Sequence, residues 1–148
     1  MKIIYLHQYF NTPEMPGSTR SYEFSKRLVK MGHEVEMITT YRKPLKTKDW
    51  FKTKDKGINI HWLPLNYSNH MNFFSRLKVF FVFAWKSYFK AKKINADIVF
   101  ASSTPLTIAI PAVIIKKKKN IPMVFEVRDL WPDIPIVMKI LKNPILIY

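Results

Sequence analysis

Three charged side chains, Glu126, Arg128 and Asp129, fall within four positions at the end of an apolar stretch, in VFEVRDLWPD (residues 124–133). In a strand covered on both faces, successive side chains point to opposite sides, so Glu126 and Arg128 share one face while Val127 takes the other. Removing an unpaired charge from water costs on the order of several kcal/mol. The triplet therefore has two readings. Either it closes as a structural ion pair, Arg128 with Glu126 or Asp129, or it opens into a wet cleft. In a cleft Arg128 suits a phosphate, and Asp129 or Glu126 a sugar hydroxyl. Arg128 and Asp129 are the catalytic candidates, with Glu126 a substrate contact.

A second polar cluster, HQYFNTPEMPGSTRSYE (residues 7–23), follows the first apolar stretch, and a third, SSTP, covers 102–105. In the second, Gly17, Ser18, Thr19 and Arg20 stand where a loop enters a helix. Backbone N–H groups and two hydroxyls there can hold an anion, with Arg20 adding charge. The plainer reading is an ordinary helix cap. One glycine is too few for a Walker loop or a dinucleotide fingerprint. His7 reads as a satisfied structural residue, and His33, His61 and His70 lack ligand spacing, so no metal site is expected. Cysteine is absent, which excludes disulfides and thiolate chemistry.

The elements that must position these clusters alternate along the chain. Strands are predicted at 2–7, 33–40, 58–63, 96–101 and 121–127. Helices are predicted from Ser18 or Thr19 to about Met31, from Met71 to Lys93, and from the SSTP cluster through PLTIAIPAVII, where Pro111 should bend or interrupt the third unless its missing hydrogen bond is absorbed locally. The lysine-rich segment between the second and third strands has no apolar period and reads as a mobile loop. This order predicts an α/β, Rossmann-like parallel sheet with helices on both faces. In such a sheet ligands collect at the carboxyl ends of the strands, and all three polar clusters fall there.

With 148 residues, 48% of them hydrophobic, the chain suits a single domain with a real core. No apolar run reaches the roughly 18 residues of a membrane span, and the start is strand-like rather than a leader, so a cytoplasmic protein is expected. The net charge of +15 comes from residues 41–56, 72–93 and 116–119. Such a surface either meets an anionic partner or is simply solvated. On the helix at 71–93, Phe73, Leu77, Phe80, Phe81, Ala84 and Tyr88 form the expected core stripe. The opposite arc interleaves Lys78, Lys86, Lys90 and Lys93 with Val79, Val82, Phe83 and Phe89. That arc suits an anionic membrane surface, with Lys78, Phe83, Lys86, Phe89 and Lys90 as its contacts, or else a covering domain.

Together, MKIIYLHQYFNTPEMPGSTRSYEFSKRLVKMGHEVEMIT and FEVRDLWPD resemble the amino-terminal half of family-4 glycosyltransferases of the GT-B fold. The likeness is greatest to bacterial enzymes of capsule, O-antigen and colanic acid synthesis, including N-acetyl-L-fucosamine transferases. It implies two Rossmann-like domains facing a cleft, the first binding acceptor and the second a nucleotide sugar. Gly17, Ser18, Thr19 and Arg20 then inherit a place near acceptor or donor phosphate. Many members carry His-Asp where this chain has Arg128-Asp129. An arginine cannot act as a general base, so its role would be electrostatic or positional.

The implied reaction is sugar transfer with retention, with the nucleotide sugar as donor substrate, no cofactor and no bound metal. Acceptors in this branch are lipid-linked glycans on undecaprenyl diphosphate. That would account for a basic, aromatic surface and place the enzyme on the inner face of the cell membrane. Residues 1–148 would be the acceptor-side domain. Because the donor half with its paired glutamates is missing, they should be inactive without a donor domain or second chain. The bare cleft face would favour a homodimer of the isolated domain. Two other classes stay open: a non-catalytic polyanion- or membrane-binding module, and nucleotide binding by this domain alone. Nucleic acid is not expected as a partner.

Overall fold

A computed structural model describes residues 1–67 and 71–128. Six strands form one sheet in the order β3-β4-β2-β1-β5-β6: β1 (Lys2–Leu6), β2 (Glu34–Tyr41), β3 (Phe51–Asp55), β4 (Ile58–Pro64), β5 (Ile98–Ser102) and β6 (Met123–Glu126). All neighbouring pairs are parallel except β3 with β4. The crossovers carry α1 (Arg20–Lys30), α2 (Phe73–Lys92) and α3 (Ala109–Lys119), the last entered through a 3₁₀ turn at Leu106–Ile108. Two apolar clusters result. Ile4, Leu6, Ile38, Leu63, Val99 and Ala101 pack under α2 and α3, and Tyr5, Met37, Ile60 and Trp62 lie in the second cluster with Tyr22 of α1. The central strands β1 and β5 are near-continuous apolar runs, as covering on both faces demands, whereas β2 and β4 also bury Glu36, Thr39, Thr40 and His61.

The structure corrects the sequence-based expectation in three places. The lysine-rich segment is not all loop, because residues 51–55 form the antiparallel edge strand β3. Its turn, Lys56–Gly57, takes positive φ at both residues (46° and 85°), which matches the strand twist of a tight hairpin. Lysines on a sheet edge discourage pairing with other chains, so this strand carries no apolar alternation. Second, Pro111 stands in the first turn of α3, where its missing N–H has no acceptor to lose, and it leaves the helix running to Lys119.

The third correction is the buried face of α2, which is Phe83, Ala84, Ser87, Tyr88 and Ala91. Phe83 is 1% exposed, so it is core and not a surface contact, whereas Phe73 and Phe81 are exposed. The exposed row is Phe81, Trp85 and Phe89, with Lys78, Lys86 and Lys92 beside it. Lys90 is half-buried, its Nζ 5.5 Å from the centre of the Trp50 ring. Among the described residues no helix is long and apolar enough to cross a membrane.

Candidate functional site

The carboxyl ends of β1, β2, β5 and β6 converge on a cavity of about 340 Å³ lined by His7, Asn11, Gly17, Ser18, Arg42 and Arg128 among others. His7 follows β1 directly and is buried. Its Nδ1 lies 2.8 Å from the Ser21 hydroxyl of α1, and its Nε2 lies 3.3 Å from Arg128 Nη1. A guanidinium can only donate, so Nε2 accepts and the ring proton sits on Nδ1, donated to Ser21 Oγ. Burial, then the cations Arg128 and Arg42, push the imidazole down to a pKa of about 3. The ring is therefore neutral at physiological pH. With its only acceptor nitrogen facing Arg128, His7 is placed to orient that guanidinium rather than to take a proton from a substrate. The Arg128 backbone N–H donates to Ser103 Oγ at 2.7 Å, and the Ser103 N–H to the Glu126 carbonyl at 2.8 Å. These bonds tie the end of β6 to that of β5.

Arg42, one residue beyond β2, lines the same cavity. Its Nη2 donates to Asn11 Oδ1, and its guanidinium carbon lies 5.6 Å from the centre of the Tyr9 ring. Burial lowers its pKa from the ordinary arginine value. Asn11 Nδ2 donates in turn to the Ser18 carbonyl at 3.2 Å, linking Arg42 to the loop before α1. Only glycine suits position 17: its φ is +118°, and an added Cβ would stand 2.6 Å from Asn11 Nδ2. The Gln8 carbonyl accepts from the Thr40 N–H and from the hydroxyls of Thr39 and Thr40, which clamps the ends of β1 and β2 together. Among the described residues no carboxylate lies within ion-pair distance of Arg42 or Arg128. Two held guanidiniums facing one cavity are built to receive an anion with several oxygens.

Glu126 and Arg20 go elsewhere. Arg20 Nη2 meets Glu126 Oε1 at 2.5 Å, and Ser102 Oγ donates to Glu126 Oε2 at 2.5 Å. Both side chains line a separate cavity of about 330 Å³ with Tyr5, Phe24 and Phe100. The charged strand end thus does form an ion pair, but Glu126 pairs with Arg20 and not with Arg128. Thr19 is the N-cap of α1 and makes no side-chain cap bond. Asp129 lies outside the described residues. Gly17, Ser18 and Arg128 are brought together as expected. Arg42 is the cavity residue that sequence reasoning missed, and His7, read there as a satisfied structural residue, also lines the cavity. For Arg42 the missed signal was its position just past the carboxyl end of β2, hidden at the start of a basic run. Among the described residues no cluster of His, Cys, Asp or Glu could hold a metal ion.

Fold and site together define a doubly wound α/β domain with a cationic cavity at the strand carboxyl ends, the place such sheets bind ligands. The chain belongs to Glycosyltransferase Family 4, whose family profile matches residues 17–146. No curated protein matches it. Among solved structures it is similar to the C-terminal domain of a hydrogenase from Pyrococcus furiosus, at 18% identity and a TM-score of 0.60, covering 85% of this chain and 90% of that one. It is also similar to sucrose-phosphate synthase from Thermosynechococcus elongatus, at 16% identity and a TM-score of 0.62, covering 97% of this chain and 36% of that one. A third likeness is to the glycotransferase of kitacinnamycin, at 14% identity and a TM-score of 0.51, covering 97% and 35%. At such identities these likenesses carry the fold alone. The chain spans about a third of the length of the last two.

Proposed function

We propose that this chain is the acceptor-side domain of a retaining glycosyltransferase that moves a sugar from a nucleotide sugar to a lipid-linked glycan in bacterial surface-polysaccharide synthesis. The observation that supports this most is the cavity flanked by Arg42 and Arg128, in a chain whose family profile is Glycosyltransferase Family 4. Two guanidiniums lining one cavity suit the diphosphate of a polyprenyl-linked acceptor, and each can donate two parallel hydrogen bonds to phosphate oxygens. Arg128 acts as a fixed charge, with His7 as its positioning residue. Gly17 lets the loop before α1 stand close to Asn11, and Ser18 offers its hydroxyl at the cavity wall. The nucleotide sugar is held by a second unit facing this one, so the domain alone does not turn over. In this reading the exposed row of Phe81, Trp85 and Phe89 beside Lys78 and Lys86 meets anionic lipid at the inner face of the cell membrane.

Co-sedimentation of the chain with anionic vesicles, with and without undecaprenyl diphosphate, tests this reading. Binding strengthened by the diphosphate lipid, with that strengthening lost in Arg42→Ala and Arg128→Ala, is the expected result. Binding that the diphosphate lipid leaves unchanged would overturn the acceptor assignment.

A further inference from the structure

A second concavity adjoins the cationic one. It measures about 470 Å³ and is lined by Tyr9, Tyr67, Leu77, Phe80, Pro105 and Leu106 together with Ser103, Thr104 and Thr107. Tyr9 and Thr104 belong to the walls of both. The two spaces are therefore neighbours across one tyrosine and one threonine, with opposite chemistry on either side. One end presents Arg42 and Arg128. The other presents rings and aliphatic carbon: the Tyr9 and Tyr67 centroids are 5.2 Å apart, and Tyr67 stacks on Phe80 at 6.0 Å and 29°. One turn before Leu77 stand Phe73 and Phe74, which are 63% and 79% exposed, so the apolar path continues along the start of α2 to the surface.

We infer that this groove holds the first isoprene units of a polyprenyl diphosphate whose head group lies between Arg42 and Arg128. The inference rests on the acceptor reading above and adds to it a binding site for the lipid chain itself. Charge complementarity sets the polarity: the diphosphate must take the cationic end, which leaves the chain the apolar groove shared through Tyr9. A groove of this size, mostly apolar with a few polar groups, suits a small-molecule segment rather than a protein partner. It is too small for a whole polyprenyl chain, and Phe73 and Phe74 lie where the remainder would leave for the bilayer.

Titration of the chain with soluble probes, free of vesicles, separates the two ends. Inorganic pyrophosphate reports the head site alone, and farnesyl diphosphate reports head and groove together. We expect farnesyl diphosphate to bind at least about tenfold tighter, the change expected from burying even a few methylene groups. Leu106→Ser and Leu77→Ser, at positions that are not fully buried, should abolish that advantage while leaving pyrophosphate affinity within about twofold. Thermal melts by circular dichroism establish that each variant is folded. Equal affinity for both probes would overturn the groove and leave the acceptor reading standing. Binding of neither probe would overturn the acceptor reading, and the groove with it. A farnesyl advantage that survives both substitutions would place the chain elsewhere and overturn the assignment.

Discussion

Arg20 and Arg128 both meet the end of β6, and their partners could hardly differ more. Arg20 is matched to the carboxylate of Glu126, whereas Arg128 leans on the neutral ring of His7. A carboxylate partner cancels the charge it holds. A buried, unprotonated imidazole fixes the direction of a guanidinium and leaves its charge available to a ligand. The same strand end thus carries a finished ion pair on its α1 side and an unfinished one facing the cavity. Arg42 repeats the second pattern, held by the neutral amide of Asn11. On the proposed reading, partner type, more than the presence of a partner, separates a structural arginine from one left able to bind a ligand.

Four measurements would break or sharpen this contrast. The largest effect is expected for Arg128→Ala in the diphosphate-lipid binding assay. Charge-assisted hydrogen bonds are worth about 1.5 to 3 kcal/mol, so affinity should fall by about 10- to 100-fold, while Arg20→Ala should stay within about threefold. Equal losses would erase the distinction.

The second concerns the neutrality of His7. Its folded pKa of about 3 lies below the ordinary 6.5, so between those values the unfolded chain binds a proton that the folded chain does not. Stability is therefore fully present above pH 6.5 and lost as pH falls toward 3, at about 1.4 kcal/mol per unit. Urea unfolding at pH 7 and pH 5 should show a loss of about 2 kcal/mol from this group, over the unfolded-state window from 6.5 to 5. The His7→Gln variant should be less acid-sensitive by that amount. An unchanged pH slope in the variant would mean that the ring is charged in the folded protein.

The third measurement asks what the cavity end of β1 costs. Gln8 is 1% exposed, and neither atom of its side-chain amide has a hydrogen-bond partner among the described residues. Gln8→Leu should raise stability by about 1 kcal/mol in the same unfolding assay, since an unsatisfied buried amide costs about that or more. A loss would show that the amide is satisfied. The smallest effect is expected at the finished pair. Arg20 is 64% exposed at its side chain, so Arg20→Ala should cost no more than about 1 kcal/mol of stability.

Much of the scaffold was readable from local pattern. The strands at 2–6 and 98–102 are short apolar runs bounded by polar loops, and the helix 73–92 lacks both glycine and proline. The rule that ligands gather at strand carboxyl ends then singled out Gly17, Ser18 and Arg128 before any contact was known. It did not single out Arg42, whose basic neighbours made it look like part of a solvated run. Nor did it reveal β3, because an edge strand armed with lysines has no apolar face to show. On α2, Phe81 and Phe83 are equally apolar, and periodicity centred the stripe on the wrong one. The α2–α3 contact and the sheet decided which ring was covered.

What the sequence determined by itself, then, is the succession of elements, the parallel sheet and the set of polar loops at one of its ends. These depend on spacing within a few residues, which a linear pattern records. Only the tertiary structure decided that Glu126 belongs to Arg20, that Arg128 belongs to His7, and that Arg42 closes the same cavity. Those choices join residues 106, 121 and 31 positions apart. Contacts at such separations follow from strand order and helix placement, and a local pattern holds no trace of them.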